Sequence, residues 1–301
     1  MGRRRAAGDR DIPADRDPDQ LCRVAERFGD IILLEEIRRI RNERGAVILA
    51  HIDQRDDVRG CADVVGDDLS LVLKAARSGS GEMVVCAIDM IAETVKILVP
   101  DTRVILPVPE ATCPAARQFT PDALTLARER HPGAALVVDL RSPAECKALA
   151  DITCTPESAA RIIGSLSEEQ VILALPDPDP SEWVMGRVPG KEILPLSPAV
   201  VDASGERSVP PCPGGVRRGS HRGGGVIGAA EARRTVVQEA GNGRAFLARN
   251  CTICHGMRQT TLPDLYRSLR TGSPRVEIPG AVLLAARQPV LRMVGVLGRT
   301  S

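Results

Sequence analysis

The sharpest chemistry in this chain belongs to its thiols and histidines. Cys251 and Cys254 form a C-x-x-C run followed at once by His255. That spacing suits half of a zinc site, a dithiol redox pair or a haem-attachment motif. Haem attachment requires export, and the amino-terminal stretch MGRRRAAGDRDIPADRDPDQ follows its arginines with charges rather than an apolar region. A second C-x-x-C that would complete a zinc ribbon is absent. Thiolates far apart in a large chain also suit an iron–sulfur cluster.

Cys113 is a candidate partner. It lies just past a short aliphatic run, Val104 to Leu106, that Pro107 and Pro109 terminate, so it sits beyond the carboxyl end of an expected strand, where open α/β sheets collect ligands. A lone cysteine in such a place is otherwise a small buried hydrophobe. His51 closes the run Ala46 to Ala50 in the same way and precedes Gly-Asp-Asp-Leu-Ser at 66–70. There it either satisfies structural hydrogen bonds or faces a ligand.

Composition narrows the partners. Forty basic and 39 acidic residues leave a net charge of +1, so no global field draws the chain to nucleic acid or an anionic membrane. Aromatic residues make up 2%, which removes the stacking platforms that single-stranded nucleic acid uses. Arg217, Arg218 and Arg222 therefore read as a solvated loop. The expectation is no nucleic acid, no membrane span and a cytoplasmic location. Nine cysteines, an odd count, favour thiols and metal ligands over a disulfide framework.

The elements that must position these residues alternate. Strands are expected at 46–50, 83–87, 104–106, 134–139, 152–154, 171–175 and 192–196. Helices are expected at 31–45, 69–77, 92–98, 122–130, 145–150, 157–166, 229–239, 263–269 and 281–297. Short connections between alternating strands and helices predict an α/β fold with parallel sheets covered by helices. Residues 1–20, rich in Arg and Asp, read as a disordered tail, and the stretch SVPPCPGGVRRGSHRGGG at 208–225 has no apolar period.

Several segments, in order, resemble the quinolinate synthase family. They are LAHIDQRDDVRGCADVVGDDLSLVLKAA, VVCAIDMIAETVKIL, ILPVPEATC, AECKALADITCT, GKEIL, CTICHGMRQTTLPDL and LRMVGVL, and they cover most of 46–196 and 251–297. The resemblance implies three similar αβα domains with short parallel sheets around a pseudo-threefold axis. Mapped onto this chain, these are 21–115, 116–200 and a reduced, irregular third domain at 201–280, with the helix at 281–297 packing on the first. It implies one cysteine per domain on a single [4Fe-4S] cluster. It also implies condensation of two small anionic substrates, iminoaspartate and dihydroxyacetone phosphate, to quinolinate in NAD biosynthesis. By motif, Cys113 is the first cluster ligand, Cys254 the third, and His51 a substrate-binding histidine.

The chain departs from that pattern at several positions. Val200 stands at the second-ligand position, which leaves Cys212 as the candidate third thiolate. Asp68 replaces a serine, Asp139 and Arg141 replace a tyrosine and an asparagine, and Pro156 replaces another serine. Asp68, Asp139 and Arg141 thereby become substrate-binding candidates of altered charge. An added carboxylate about 4 Å from an anion costs roughly 4 kcal/mol at an effective dielectric near 20, about a thousandfold in binding. Two other readings follow: a scaffold of the same family without catalysis, and a zinc or dithiol protein using Cys251 and Cys254.

Overall fold

A computed structural model describes residues 18–176, 184–196, 200–201, 207–208 and 259–298. The chain opens with helix α1 (Pro18–Arg44). The tail expected over 1–20 is corrected here, because the helix begins at Pro18, whose fixed φ suits a first helical position. Residues 1–17 lie outside the described residues.

Two four-stranded parallel sheets follow. The first comprises β1 (Val47–His51), β2 (Val64–Gly66), β3 (Glu82–Cys86) and β4 (Arg103–Ile105). Between them run α2 (Asp56–Arg59), α3 (Asp68–Ser78) and α4 (Asp89–Leu98). After a single 3-10 turn at Ala116–Gln118, the second sheet is built from β5 (Ala135–Asp139), β6 (Ile152–Cys154), β7 (Gln170–Ala174) and β8 (Glu192–Pro195). Its helices are α5 (Pro121–Arg130), α6 (Ala144–Leu149) and α7 (Pro156–Gly164).

The strand orders are β2-β1-β3-β4 and β6-β5-β7-β8, so both sheets run second, first, third, fourth. The repetition supports the α/β expectation of similar αβα units. Two-residue strands β9 (Val200–Val201) and β10 (Arg207–Ser208) pair antiparallel. Most of the expected third domain, including the helix expected at 229–239, lies outside the described residues. The chain re-enters with α8 (Leu262–Thr271) and α9 (Gly280–Gly298).

Strand alternation divides the core. Ile48 and Ala50 of β1, with Val84 and Cys86 of β3, face Ile37 and Ile40 of α1 and Leu262, Leu265 and Leu269 of α8. Leu49, Met83 and Val85 point the other way, into a core shared with Val137, Ile152, Val171 and Leu173 of the second sheet. Strands buried on both faces read as unbroken apolar runs, which is why most of them were legible.

The exception is β2, whose three residues are half-buried or exposed and pair on one side only. Gly66 ends it because space there is short: a Cβ would lie 2.8 Å from Cβ of Ser70. The next residue, Asp67, caps α3 by accepting a 2.8 Å hydrogen bond from the Ser70 N–H. Thr155 and Thr261 cap α7 and α8 with reciprocal capping boxes to Ser158 and Asp264.

Helix α9 is long and apolar enough, by length and composition, to cross a membrane. Its buried face is nevertheless spent on the protein. Ala286, Val290 and Met293 are fully buried in the shared core, and the helix packs mainly on α6 and β6, with α4 and α7 also in contact. Its contact with the first sheet's helices, expected from sequence, is therefore only part of its seat. Arg292 Nη1 donates to the Asp151 carbonyl at 3.2 Å, and Arg161 Nη2 donates to the Val296 carbonyl at 2.7 Å.

Truncating the centre of that seat should be costly. Met293→Ala is expected to destabilise the protein by about 2–5 kcal/mol, the range for a buried large-to-small change. Urea unfolding checks this as a lowered midpoint at unchanged slope.

Candidate active site at the facing strand ends

His51 is the last residue of β1, in register with Gly66 at the end of β2. Its Nδ1 accepts from the Asp53 backbone N–H at 3.2 Å. A nitrogen that accepts carries no proton, so the neutral ring holds its proton on Nε2. That atom lies 3.5 Å from Asp68 Oδ1, while Asp53 Oδ2 stands 3.5 Å from Nδ1. The ring is thus flanked by two carboxylates.

Asp68 is the first residue of α3. Burial raises its pKa, His51 and Arg141 pull it down, and Asp139 and Asp67 push it up again. Its side chain is 24% exposed. The coupling places Asp68 within the electrostatic reach of the second sheet's strand end.

That strand end is Asp139, in register with Cys154. The Asp139 carboxylate accepts the Arg141 backbone N–H at 2.7 Å, Arg141 Nε at 3.0 Å and Arg141 Nη2 at 3.1 Å. Both residues are buried. The two substitutions in this stretch therefore answer each other: Asp139 arrives with its own guanidinium, and the desolvated pair is closed by hydrogen bonds. Pro156, the other altered position, begins α7 at a first-turn site where its missing N–H costs nothing.

Cys113 is 1% exposed and packs against Met90, Ala115, Ala116 and Ile88. Its loop is bound to the start of α4. The Asp89 N–H donates to the Ala111 carbonyl at 2.8 Å, Arg117 Nη2 pairs with the Asp89 carboxylate, and Arg117 Nε donates to Thr112 Oγ1 at 2.6 Å. Four other cysteines have described side chains, Cys61, Cys86, Cys146 and Cys154. Burial pushes Cys86 and Cys146 up to about 12 and raises Cys61 and Cys154, keeping all four thiols protonated.

Cys212 and Cys254 lie outside the described residues, as do Cys251 and His255 of the C-x-x-C reading, and Val200 offers no ligand atom. Among the described residues, no group of three His, Cys, Asp or Glu side chains could hold a metal ion. Cys113 lies buried in an apolar nest beside α4. After Cys254 the described chain resumes at the mouth of the cleft, where Gln259 Nε2 donates to the Asp53 carbonyl at 2.5 Å and the Thr260 N–H donates to Gln54 Oε1 at 2.9 Å.

Two residues that sequence reasoning passed over belong here. Asp53 was findable, since it follows the strand-end histidine by two positions. Lys147 gave no such signal. It is fully buried on α6, and its Nζ donates to the Met90 carbonyl at 3.1 Å. Burial pushes its pKa down to about 8, against the pull of Glu93 and Asp139.

The Asp139–Arg141 pair can be tested directly. Arg141→Leu leaves a buried carboxylate unpaired and should cost about 3–5 kcal/mol, while Asp139→Asn combined with Arg141→Leu should recover most of that. Denaturant unfolding of the single and double variants checks it.

A sequence model of the family described as "Quinolinate synthetase A protein" matches residues 35–200, more than half of the chain. The quinolinate synthase of Thermococcus kodakarensis is 33% identical over 296 residues, covering 87% of this chain and 97% of its own length. That of Methanoregula boonei is 31% identical over 300 residues, with 87% and 98% covered. That of Thermotoga maritima is 30% identical over 300 residues, with 88% and 100% covered. The matched stretch holds both parallel sheets together with His51, Asp68, Cys113, Asp139 and Arg141, and the chain belongs to the quinolinate synthase family.

Proposed function

We propose that this chain acts in NAD biosynthesis as a quinolinate synthase-type enzyme. Its substrates in this reading are iminoaspartate and dihydroxyacetone phosphate, held in the cleft between the two sheets' strand ends. The observation that carries it is His51, at the end of β1, whose Nδ1 is held by the Asp53 N–H and whose Nε2 stands 3.5 Å from Asp68 Oδ1. An imidazole held in one tautomer presents Nε2 as a donor to a substrate oxygen.

The cofactor in this reading is a [4Fe-4S] cluster on Cys113, Cys254 and Cys212. Such a cluster, when bound by three thiolates, supplies an open iron that acts as a Lewis acid toward substrate oxygens. The chain's own residues do the rest. His51 orients a carbonyl or carboxylate oxygen, Arg141 keeps Asp139 neutralised, and the segment at Gln259 and Thr260 closes over the loop after β1.

Asp68 sets the terms for anions. Ionised, it repels a dianionic substrate by up to about 4 kcal/mol at 4 Å. Protonation removes that repulsion, at about 1.36 kcal/mol per pH unit above its pKa. Because burial raises that pKa, the penalty is capped below its full value. The sign follows: affinity for a dianion rises as pH falls through the titration of Asp68, and the folded state also gains stability in that window, since it binds the proton more tightly than the unfolded chain.

The added carboxylate and the valine at position 200 favour a second reading, a family scaffold without catalysis. Complementation separates the two. In a strain lacking quinolinate synthase, growth without supplied quinolinate supports the enzyme, and failure to grow with the protein folded supports the scaffold. The purified protein, reconstituted without oxygen, should carry about four irons per chain and the broad visible absorption of a cubane cluster. Stoichiometric zinc in place of iron and sulfide would instead support the C-x-x-C reading.

Asp68→Ser should tighten binding of quinolinate, a dianion, by about tenfold to a thousandfold at neutral pH and flatten its pH dependence. Calorimetric titration at several pH values measures both. Unchanged affinity would place Asp68 outside the anion's reach.

A further inference from the structure

Lys147 is the buried charge that the site description leaves without a task. Its side chain crosses from α6 of the second sheet to the first turn of α4, where Nζ donates to the Met90 carbonyl at 3.1 Å. The same seam carries Glu93, whose Oε2 accepts the Ala144 N–H at 2.9 Å. It also carries Thr94, whose Oγ1 donates to the Met90 carbonyl at 2.8 Å and reaches the Leu140 carbonyl at 3.4 Å.

What lies on the far side of Met90 makes the bond more than a structural tie. The Met90 side chain, 1% exposed, forms a packed cluster with Cys113, Ala115 and Ala116. Asp89, one residue earlier, holds the Cys113 loop through the Ala111 carbonyl and the Arg117 guanidinium. The first turn of α4 is therefore the platform of Cys113. At the other end of the seam, Leu140 and Ala144 bracket Arg141, which locks Asp139.

We infer that Lys147 is a positioning residue, which by binding the Met90 carbonyl sets the platform of Cys113 against the Asp139–Arg141 strand end. An ammonium serves this better than a neutral donor. The Met90 carbonyl already accepts from Thr94, and a charged donor strengthens a shared acceptor contact where a second neutral one adds little. The inference deepens the functional reading above, because Cys113 matters as a cluster ligand only there, yet the geometry it describes belongs to the protein alone.

The test uses the full-length, metal-free protein. Lys147→Met removes the donor at nearly constant volume. Alkylation by iodoacetamide, read cysteine by cysteine in the mass spectrometer, is expected to rise about tenfold or more at Cys113, the consequence of losing a charge-assisted hydrogen bond. Cys86 and Cys154, buried within the sheets, should stay protected. Lys147→Arg, which keeps a cationic donor, should recover part of the protection at Cys113. Reconstituted Lys147→Met should also bind less iron than the unaltered protein.

An unchanged Cys113 rate would overturn the inference. So would equal exposure of Cys86, Cys113 and Cys154, which makes Lys147 a general stability element. If the unaltered protein takes up no iron, the cluster reading fails, while the alkylation pattern still decides the role of Lys147.

Discussion

The two parallel sheets are held together by a shared apolar core sealed by α9, and through it runs the α4–α6 seam. The seam carries polar side chains. Lys147 is fully buried there and Glu93 half-buried, with backbone groups as their direct partners. Removing such charges from water costs several kcal/mol each unless hydrogen bonds and mutual attraction offset it. An apolar seam of the same volume would hold as well or better. What the polar version adds is direction, because hydrogen bonds to the Met90 and Leu140 carbonyls and the Ala144 N–H fix how far one sheet can slide along the other.

That constraint sets the character of the cleft. Its walls are two strand ends with equivalent places in the topology: His51, in register with the end of β2, and Asp139, in register with the end of β6. Around them stand three carboxyl groups, those of Asp53, Asp68 and Asp139, with the guanidinium of Arg141. The count misleads, however, because charges that are already hydrogen-bonded do not act on a ligand as free ones do. Asp139 is spent on Arg141 through three contacts, and that pair presents little net field. Asp68 remains, driven toward its neutral form by burial and pulled the other way by His51 and Arg141.

Much of this frame was legible from sequence. Strands such as Ala135–Asp139 announce themselves because burial on both faces leaves no polar residue to interrupt the run. His51 and Cys113 were found by their places at or beyond strand ends. The misses have physical causes. β2 is too short and too exposed to carry an apolar signature. The first residues of α1, Pro18, Asp19 and Gln20, carry no apolar signal of their own. Lys147 is invisible because a lone lysine in a six-residue helix looks like a solvated one, and only the packing of α9, α4 and β5 around it removes it from water. Even the pairing of Asp139 with Arg141, two residues apart, needed the turn after β5 to bring the guanidinium back.

The remaining question is why a family scaffold should accept Asp68 at all, and magnitudes answer it. Asp68 stands at the first position of α3, directly after the capping Asp67. A carboxylate in the first turn of a helix gains about 0.3–1 kcal/mol from the helix dipole and the free N–H groups. Burial outweighs that gain, because the Asp68 pKa is raised, so the ionised form carries a net cost to the fold. To a dianion 4 Å away, the same charge costs up to about 4 kcal/mol. In the proposed reading the effect on a dianion is the larger, so this one position weighs more on which ligand binds than on the architecture, and its size depends on how far burial has moved the Asp68 proton toward staying on.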